Sequence, residues 1–300
     1  MNKVIKKAFY KPAWAIACRK IERDQTIFPN KSQTPFDVLL PKINEWYADS
    51  ICFSENGRVF IFMEVMGRNG SNGTIGVTEY LDNKFSKIKD ALIEPFHLSY
   101  PNVFKHKGHY YMIPETCSAN ELRIYESIDF PVGWKLKKVL LKDIKVVDTS
   151  FMIIDDDHYL LFSHDISENN AKLRMFILNL DNLVVSELKS DNALSTDRPG
   201  GNIVELSDKK LRILQDCSES YGKQLKVFQI RNIDFNNEIF EEEFIKTISI
   251  DDVPFHQKKK FDRIHTLTRS GEFEAIDTQY SKFFPNKPLQ KIARKIKELI

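Results

Sequence analysis

The chain repeats a two-strand unit at nearly constant spacing, and this repeat constrains its fold more than any other feature. The clearest copy is PFHLSYPNVFKHKGHYYMIPET, Pro95–Thr116. Val103-Phe104-Lys105-His106 meets a turn at Lys107-Gly108, and His109–Ile113 runs back to stop at Pro114-Glu115. Two β-rich runs around a glycine turn predict a hairpin. Four more copies are present: Trp46–Phe53 with Val59–Glu64, Val147–Ile154 with Tyr159–His164, Asp197–Val204 with Leu211–Asp216, and Asp262–Thr268 with Phe273–Asp277. Their turns fall at Glu55-Asn56-Gly57, Asp155-Asp156-Asp157, Ser207-Asp208 and Ser270-Gly271.

The leading polar residues of these units are Asp49, Tyr100, Asp148, Arg198 and His265, separated by 51, 48, 50 and 67 residues. The last, longer step carries a charged insertion within Asn232–Lys260. Third strands are expected at Thr74–Tyr80, Leu122–Glu126, Leu173–Leu178 and Leu225–Ile230, with a weaker fourth such as Trp134–Leu141. Four antiparallel strands repeated five times predict an all-β, five-bladed β-propeller; two stacked sandwiches are the competing arrangement. The fifth unit runs short of strands, and the lone Trp14–Ile21 strand is available to complete it and hide a sheet edge. The propeller is expected to span residues 1–284.

Composition narrows the class. With 44 Lys plus Arg against 42 Asp plus Glu, the net charge of +2 makes no case for nucleic acid as a partner. The 22 Phe, 10 Tyr and 3 Trp suit strands packed face to face. Cys18, Cys52, Cys117 and Cys217 form no CxxC and read as reduced thiols. Ala13–Ala17 is too short for a signal-peptide core, and no apolar run approaches membrane-spanning length. The expected location is cytoplasmic, with the inner face of the membrane as an extension discussed below.

In a propeller the innermost strands begin at one mouth of the central channel. Asp49, Tyr100, Asp148, Arg198 and His265 would converge there, with Glu64, Glu115, His164, Asp216 and Asp277 just behind. Core positions ordinarily favour apolar residues, so this register of polar ones predicts a polar-ligand site.

The motifs YADSICFSENGRVFIFMEV, PFHLSYPNVFKHKGHYYMIPET, VDTSFMIIDDDHYLLFSH, RPGGNIV and QDCSESYG resemble the N-terminal propeller domain of glucosamine inositolphosphorylceramide transferases and its bacterial stand-alone relatives. The likeness covers Trp14–Tyr280. More remotely the chain is similar to five-bladed arabinanase and β-xylosidase hydrolases, which divide acid and base work between separated carboxylates. By that likeness Asp49 matches the base position, with Glu115 and Asp148 as further candidate catalytic carboxylates. Tyr100 stands where the hydrolases carry Asp, a departure that speaks against simple hydrolysis. His265 matches a histidine that helps hold a central ion through water, so a structural metal near it is an open expectation.

Arg198 suits a phosphate or carboxylate, because its planar fork takes two oxygens at once. Glu64, His97, Ser99, Tyr100, Asp216, Tyr221 and His265 complete the expected substrate-binding set, with Trp46 and Tyr221 available to stack on a sugar. The resulting expectation is a glycosyltransferase of bacterial surface polysaccharide assembly. Its partners would be a phosphate-bearing sugar donor and a glycan or glycolipid acceptor. A propeller glycoside hydrolase and a non-catalytic glycan-binding module are the alternatives.

Three remaining features complete the reading. Arg68–Gly73 links two strands instead of opening a helix, which argues against a phosphate loop, and Asp155-Asp156-Asp157 reads as a hairpin turn rather than a calcium loop. Lys258-Lys259-Lys260 reads as a solvated loop. In residues 285–300, Leu289, Ile292, Ala293, Ile296 and Leu299 follow helical spacing, with Lys291, Arg294, Lys295 and Lys297 between them. Such a basic amphipathic helix suits an anionic membrane surface, a partner, or its own propeller.

Overall fold

A computed structural model describes residues 10–21, 27, 33–67, 72–167, 172–188, 194–206, 209–235, 237 and 239–283. The strands are β1 (Tyr10–Lys20) and β2 (Asp37–Leu39); then β3 (Glu45–Glu55), β4 (Arg58–Gly67), β5 (Thr74–Leu81), β6 (Lys84–Phe85) and β7 (Lys89–Leu92). Next come β8 (Ser99–His106), β9 (His109–Glu115), β10 (Glu121–Asp129) and β11 (Val132–Lys142). They are followed by β12 (Val146–Ile153), β13 (His158–Asp165), β14 (Lys172–Asn179) and β15 (Val184–Leu188). The chain continues through β16 (Val204–Leu206), β17 (Lys209–Asp216), β18 (Gln224–Asp234) and β19 (Ile239–Ile248), and closes with β20 (Phe261–Arg263), β21 (Leu267–Ser270) and β22 (Phe273–Phe283).

These strands make five antiparallel sheets in chain order, the five blades of an all-β propeller. Blades one to four are β3 to β7, β8 to β11, β12 to β15 and β16 to β19. Blade five joins the two ends of the chain: β20 and β21 pair with β22, β22 pairs with β1 from Tyr10↔Phe283 to Lys20↔Phe273, and β1 pairs with β2. Among the described residues the helical content is two 3₁₀ turns, Cys117–Ala119 and Ile250–Asp252. The helix expected over 285–300 and the turn expected at Ser207-Asp208 lie outside the described residues.

Blade-on-blade packing explains why the second strands are apolar on both faces. On β4, Phe60 and Phe62 pack towards blade two with Val103, Met112 and Trp134. The alternate residues Val59, Ile61 and Met63 pack towards blade five with Ile16, Cys18 and Ala275. A strand buried on both faces loses the apolar-polar alternation of a half-exposed one. Five apolar clusters result, one in each gap between neighbouring blades.

Side chains also sew the innermost strands into a ring. The backbone N–H of Cys52 donates to Thr268 Oγ1 at 3.1 Å and that of Tyr100 to Asp49 Oδ2 at 3.3 Å. Asn102 donates to the Thr149 carbonyl, Ser150 to the Gly201 carbonyl, and Asn202 to the Arg269 carbonyl. All four cysteines are free, and Cys18 and Cys52 are buried.

Closure is latched by charge. Arg19 on β1 lies opposite Glu274 on β22, and both side chains are fully buried. Glu274 Oε2 accepts from Arg19 Nε (2.9 Å) and Nη2 (2.6 Å), while Oε1 accepts from Arg269 Nε (3.2 Å) and Nη2 (2.6 Å). Glu274→Gln keeps the shape but strands two buried guanidinium groups, so it is expected to cost about 3–5 kcal/mol. Arg19→Met, which leaves Arg269 on Glu274, is expected to cost less. Urea unfolding of both variants at constant m value checks the order.

Candidate functional site

The mouth where the innermost strands begin holds a cavity of about 330 Å³. It is lined by Trp14, Trp46, Ala48, Asp49, Glu64, Met66, His97, Ser99, Glu115, Arg198, Tyr221 and His265. Asp49, Tyr100 and Asp148 reach their positions through one local device. Each has a left-handed backbone (φ 52°, 44° and 49°) at a break in the ladder between the first two strands of its blade. Such a β-bulge leaves backbone groups unpaired and turns a side chain off the regular pleat.

Carboxylates collect the groups so released. Asp277 Oδ2 accepts from the Asp49 N–H at 2.9 Å, and Asp277 Oδ1 accepts from the N–H groups of His265 (3.1 Å) and Thr266 (2.9 Å). The His265 ring sits between two acids, Nε2 at 3.1 Å from Asp49 Oδ1 and Nδ1 at 2.7 Å from Asp277 Oδ2. Burial works against its charge, but Asp277 and Asp49 prevail and raise its pKa to about 10. Trp14 covers the ring with centroids 4.2 Å apart, and Tyr221 flanks it at 5.2 Å. Gly222, at φ 64°, makes this possible, since a Cβ there would lie 2.9 Å from the Trp14 ring.

On the facing side, Asp148 is 1% exposed and binds Arg198 through Nε and through Nη2 at 3.1 Å. Gln215 Nε2 donates to Asp148 Oδ2 at 2.9 Å, and Arg198 Nη2 lies 3.4 Å from Glu115 Oε2. Burial would lower the Arg198 pKa, yet Asp148 and Glu115 hold it well above its usual value. For Glu115, burial and then the Asp148 charge push the pKa up to about 8 against the opposing pull of Arg198. Burial and the charges of Asp49 and Glu115 likewise hold Glu64 well above the carboxylate range. The Gly73 N–H donates to His97 Nδ1 at 2.9 Å, so Nε2 carries the proton and faces Glu64 Oε1 at 3.5 Å. Burial lowers the His97 pKa, consistent with this neutral tautomer. A Cβ on Gly73 would crowd both His97 and Glu64.

Asp49, Glu64, His97, Ser99, Glu115, Arg198, Tyr221 and His265 are thus brought together on one cavity. Three expected site residues sit elsewhere. The Tyr100 side chain is fully buried, its hydroxyl held by Ser150 Oγ (2.9 Å) and by the N–H and carbonyl of Gly201 (2.7 Å each), so it braces the channel. Asp148 lies behind Arg198, where it orients the guanidinium and acts on Glu115 through charge. Asp216 accepts from Gln224 and Ser218 and is structural.

The picture of Arg198 as a fork open to phosphate needs correcting as well, because two of its nitrogens already serve carboxylates. The structural ion expected near His265 was one held through water; here the ring nitrogens face Asp49 and Asp277, and one ligand atom from each of the three residues lies within 4.8 Å of the others. Trp14 was missed by the sequence reading because nothing local shows that the first strand carries a wall of the site. Gln215 was missed because its role depends on a contact to a residue 67 positions away.

The family described as "Glucosamine inositolphosphorylceramide transferase 1, N-terminal" matches residues 40–267. The chain belongs to that family. Proteins named glucosamine inositolphosphorylceramide transferase 1 are similar: that of Oryza sativa subsp. japonica is 32% identical over 201 residues, covering 63% of this chain and 27% of the relative. The Arabidopsis thaliana protein is 27% identical over 201 residues, covering 62% and 26%. The chain spans about a quarter of the length of these curated relatives.

Among solved structures, the catalytic domain of the Coprinopsis cinerea GH62 α-L-arabinofuranosidase superposes with a TM-score of 0.61 at 12% identity, covering 88% of this chain and 97% of that one. RS223 β-xylosidase superposes with a TM-score of 0.55 at 10% identity, covering 81% and 94%. At these identities the likeness shows the fold alone.

The His265 geometry sets a pH dependence of stability. Its folded pKa is raised from 6.5 to about 10, so its contribution is complete below pH 6.5 and is lost as pH rises through about 10. Glu115, raised from 4.5 to about 8, completes its own loss by about pH 8. Chemical unfolding across pH 8 to 10 should therefore show a fall in stability that is flatter in His265→Asn, whatever that variant's overall loss.

Proposed function

We propose that the cavity is a carbohydrate site where a glycosyl group is transferred from an oxygen leaving group to an acceptor hydroxyl. The observation that carries this reading is the unequal state of two carboxyl groups on one cavity. Burial and Asp148 keep Glu115 protonated at neutral pH, whereas Asp49 receives donors from the Tyr100 N–H and the His265 side chain. A carboxyl group that keeps its proton and one whose oxygens face hydrogen-bond donors divide the acid and base roles between them. Glu115 donates its proton to the departing oxygen, and Asp49 accepts a proton from the incoming hydroxyl. Arg198 and Asp148 hold Glu115 in place, and Trp14, Trp46 and Tyr221 offer aromatic faces to the sugar ring.

Membership of a family named for a transferase supports transfer, while the fold it shares with glycoside hydrolases supports acid–base chemistry at a glycosidic bond. Proton donation matters most for a sugar or alkoxide leaving group. With Arg198 already paired, we assign a glycoside donor ahead of a phosphate-activated one. The family's name fits a glycan or glycolipid acceptor, and we assign the reaction to the assembly of a surface glycan. Hydrolysis is the same chemistry with water as acceptor.

A panel of aryl glycosides and nucleotide sugars, each offered with water, an oligosaccharide or a glycolipid, identifies the donor and acceptor. On the active pair, Asp49→Asn and Glu115→Gln are expected to lower kcat on the order of 10²–10⁴-fold, with sugar binding retained. Because the acid must be protonated, the wild-type rate falls as pH rises through about 8, and Glu115→Gln loses that alkaline limb. Full activity in both variants would reduce the cavity to a binding site.

A further inference from the structure

The end of blade two away from the cavity holds a second polar cluster. His106 closes β8, and its side chain is 7% exposed. Its Nδ1 lies 3.2 Å from the Tyr159 hydroxyl, while its buried Nε2 has no hydrogen-bond partner. That nitrogen points at two carboxylates of blade three, with Asp181 Oδ1 at 3.6 Å and Asp157 Oδ1 at 4.0 Å. Both distances are too long for a hydrogen bond. Asp157 lies in the β12–β13 turn and Asp181 in the β14–β15 turn, and the Leu180 N–H clamps these turns by donating to the Asp157 carbonyl at 2.8 Å. A cation already lies between the acids. Lys107 Nζ donates to Asp157 Oδ1 at 2.6 Å and to the two Asp181 oxygens at 2.8 and 2.9 Å.

We propose that His106, Asp157 and Asp181 form a binding site for a divalent transition-metal ion of the zinc type, which takes the place of the Lys107 ammonium. One imidazole nitrogen and two carboxylate oxygens from three turns, open to solvent, match a three-ligand site completed by water. The three ligand atoms lie within 4.8 Å of one another. A tetrahedral ion with bonds of ~2.1 Å needs them roughly 3.4 Å apart, which small side-chain movements supply. Nδ1–H donating to Tyr159 would leave the Nε2 lone pair facing the acids, the outer-shell arrangement that orients a ligating histidine. Calcium, which takes six to eight oxygens, fits this mixed and sparse donor set poorly.

Lys107 is displaceable. Its side chain is 53% exposed at a two-residue turn, and an exposed ion pair is worth little. Occupied, the site ties blade two to blade three at the mouth opposite the sugar cavity, and its formation is independent of the reaction assigned there.

The test is calorimetric titration of the full chain with zinc chloride at neutral pH. It compares wild type with His106→Ala, Asp181→Asn, Tyr159→Phe and Lys107→Met, and follows the Tm with and without zinc. The expected result is one saturable site in wild type that is lost in His106→Ala and Asp181→Asn. Tyr159→Phe should weaken it by about 10–100-fold, as loss of an outer-shell partner does. Lys107→Met should tighten it by removing the competing cation. Zinc should raise the Tm of wild type but not that of Asp181→Asn, whose half-exposed side chain makes it the variant that keeps its fold. Absence of saturable binding in wild type, equal binding by Asp181→Asn, or no gain in Lys107→Met overturns the proposal.

Discussion

Everything in this molecule depends on closing the ring of blades. Blade five exists only because β1, the first described strand, pairs over its whole length with β22, the last. Without that pairing β22 would be an open edge and the apolar faces of Ala13, Ala15 and Ala17 would have no neighbour. The latch at this seam is one buried carboxylate shared by two guanidinium groups, Glu274 between Arg19 and Arg269. Buried charge is tolerated there because all the partners arrive together once the ring is closed.

The same closure makes the site. Bulges at Asp49, Tyr100 and Asp148 break the ladder at corresponding positions in three successive blades. In blade five the innermost strand is split between β20 and β21, around His265 and Thr266. Backbone N–H groups left over from these interruptions are taken by Asp277 and Asp49. A carboxylate satisfied by backbone donors survives in a core where an unpaired one would not. Irregular backbone and buried acid are therefore one feature.

Two charge systems then divide the cavity. One side is a buried cation, His265, between Asp49 and Asp277 beneath Trp14. The other is Arg198, forked onto Asp148 and touching Glu115. Burial and the Asp148 charge outweigh the pull of Arg198 and keep the proton on Glu115, so the cavity presents a neutral acid opposite the hydrogen-bonded Asp49. Glu64 and the neutral His97 extend the same wall without adding a fixed cation.

The blade count, the strand pairing within blades and the mouth at which polar residues gather were legible in the sequence. A fifty-residue period of hairpins has few ways to bury its apolar faces, and a polar residue recurring at one register marks one end of the channel. That reading placed Asp49, Glu115, Arg198 and His265 on a common wall. It misread Tyr100, because a phenol at a strand start gives no sign that its hydroxyl will reach Gly201 across the channel. It misread Arg198, because whether a guanidinium is free or paired depends on Asp148, fifty residues earlier. Trp14 came to the cavity only through ring closure. Period and polarity are properties of the chain and can be read along it; the pairing of charges and the direction of a side chain belong to contacts between blades, and those only the folded ring decides.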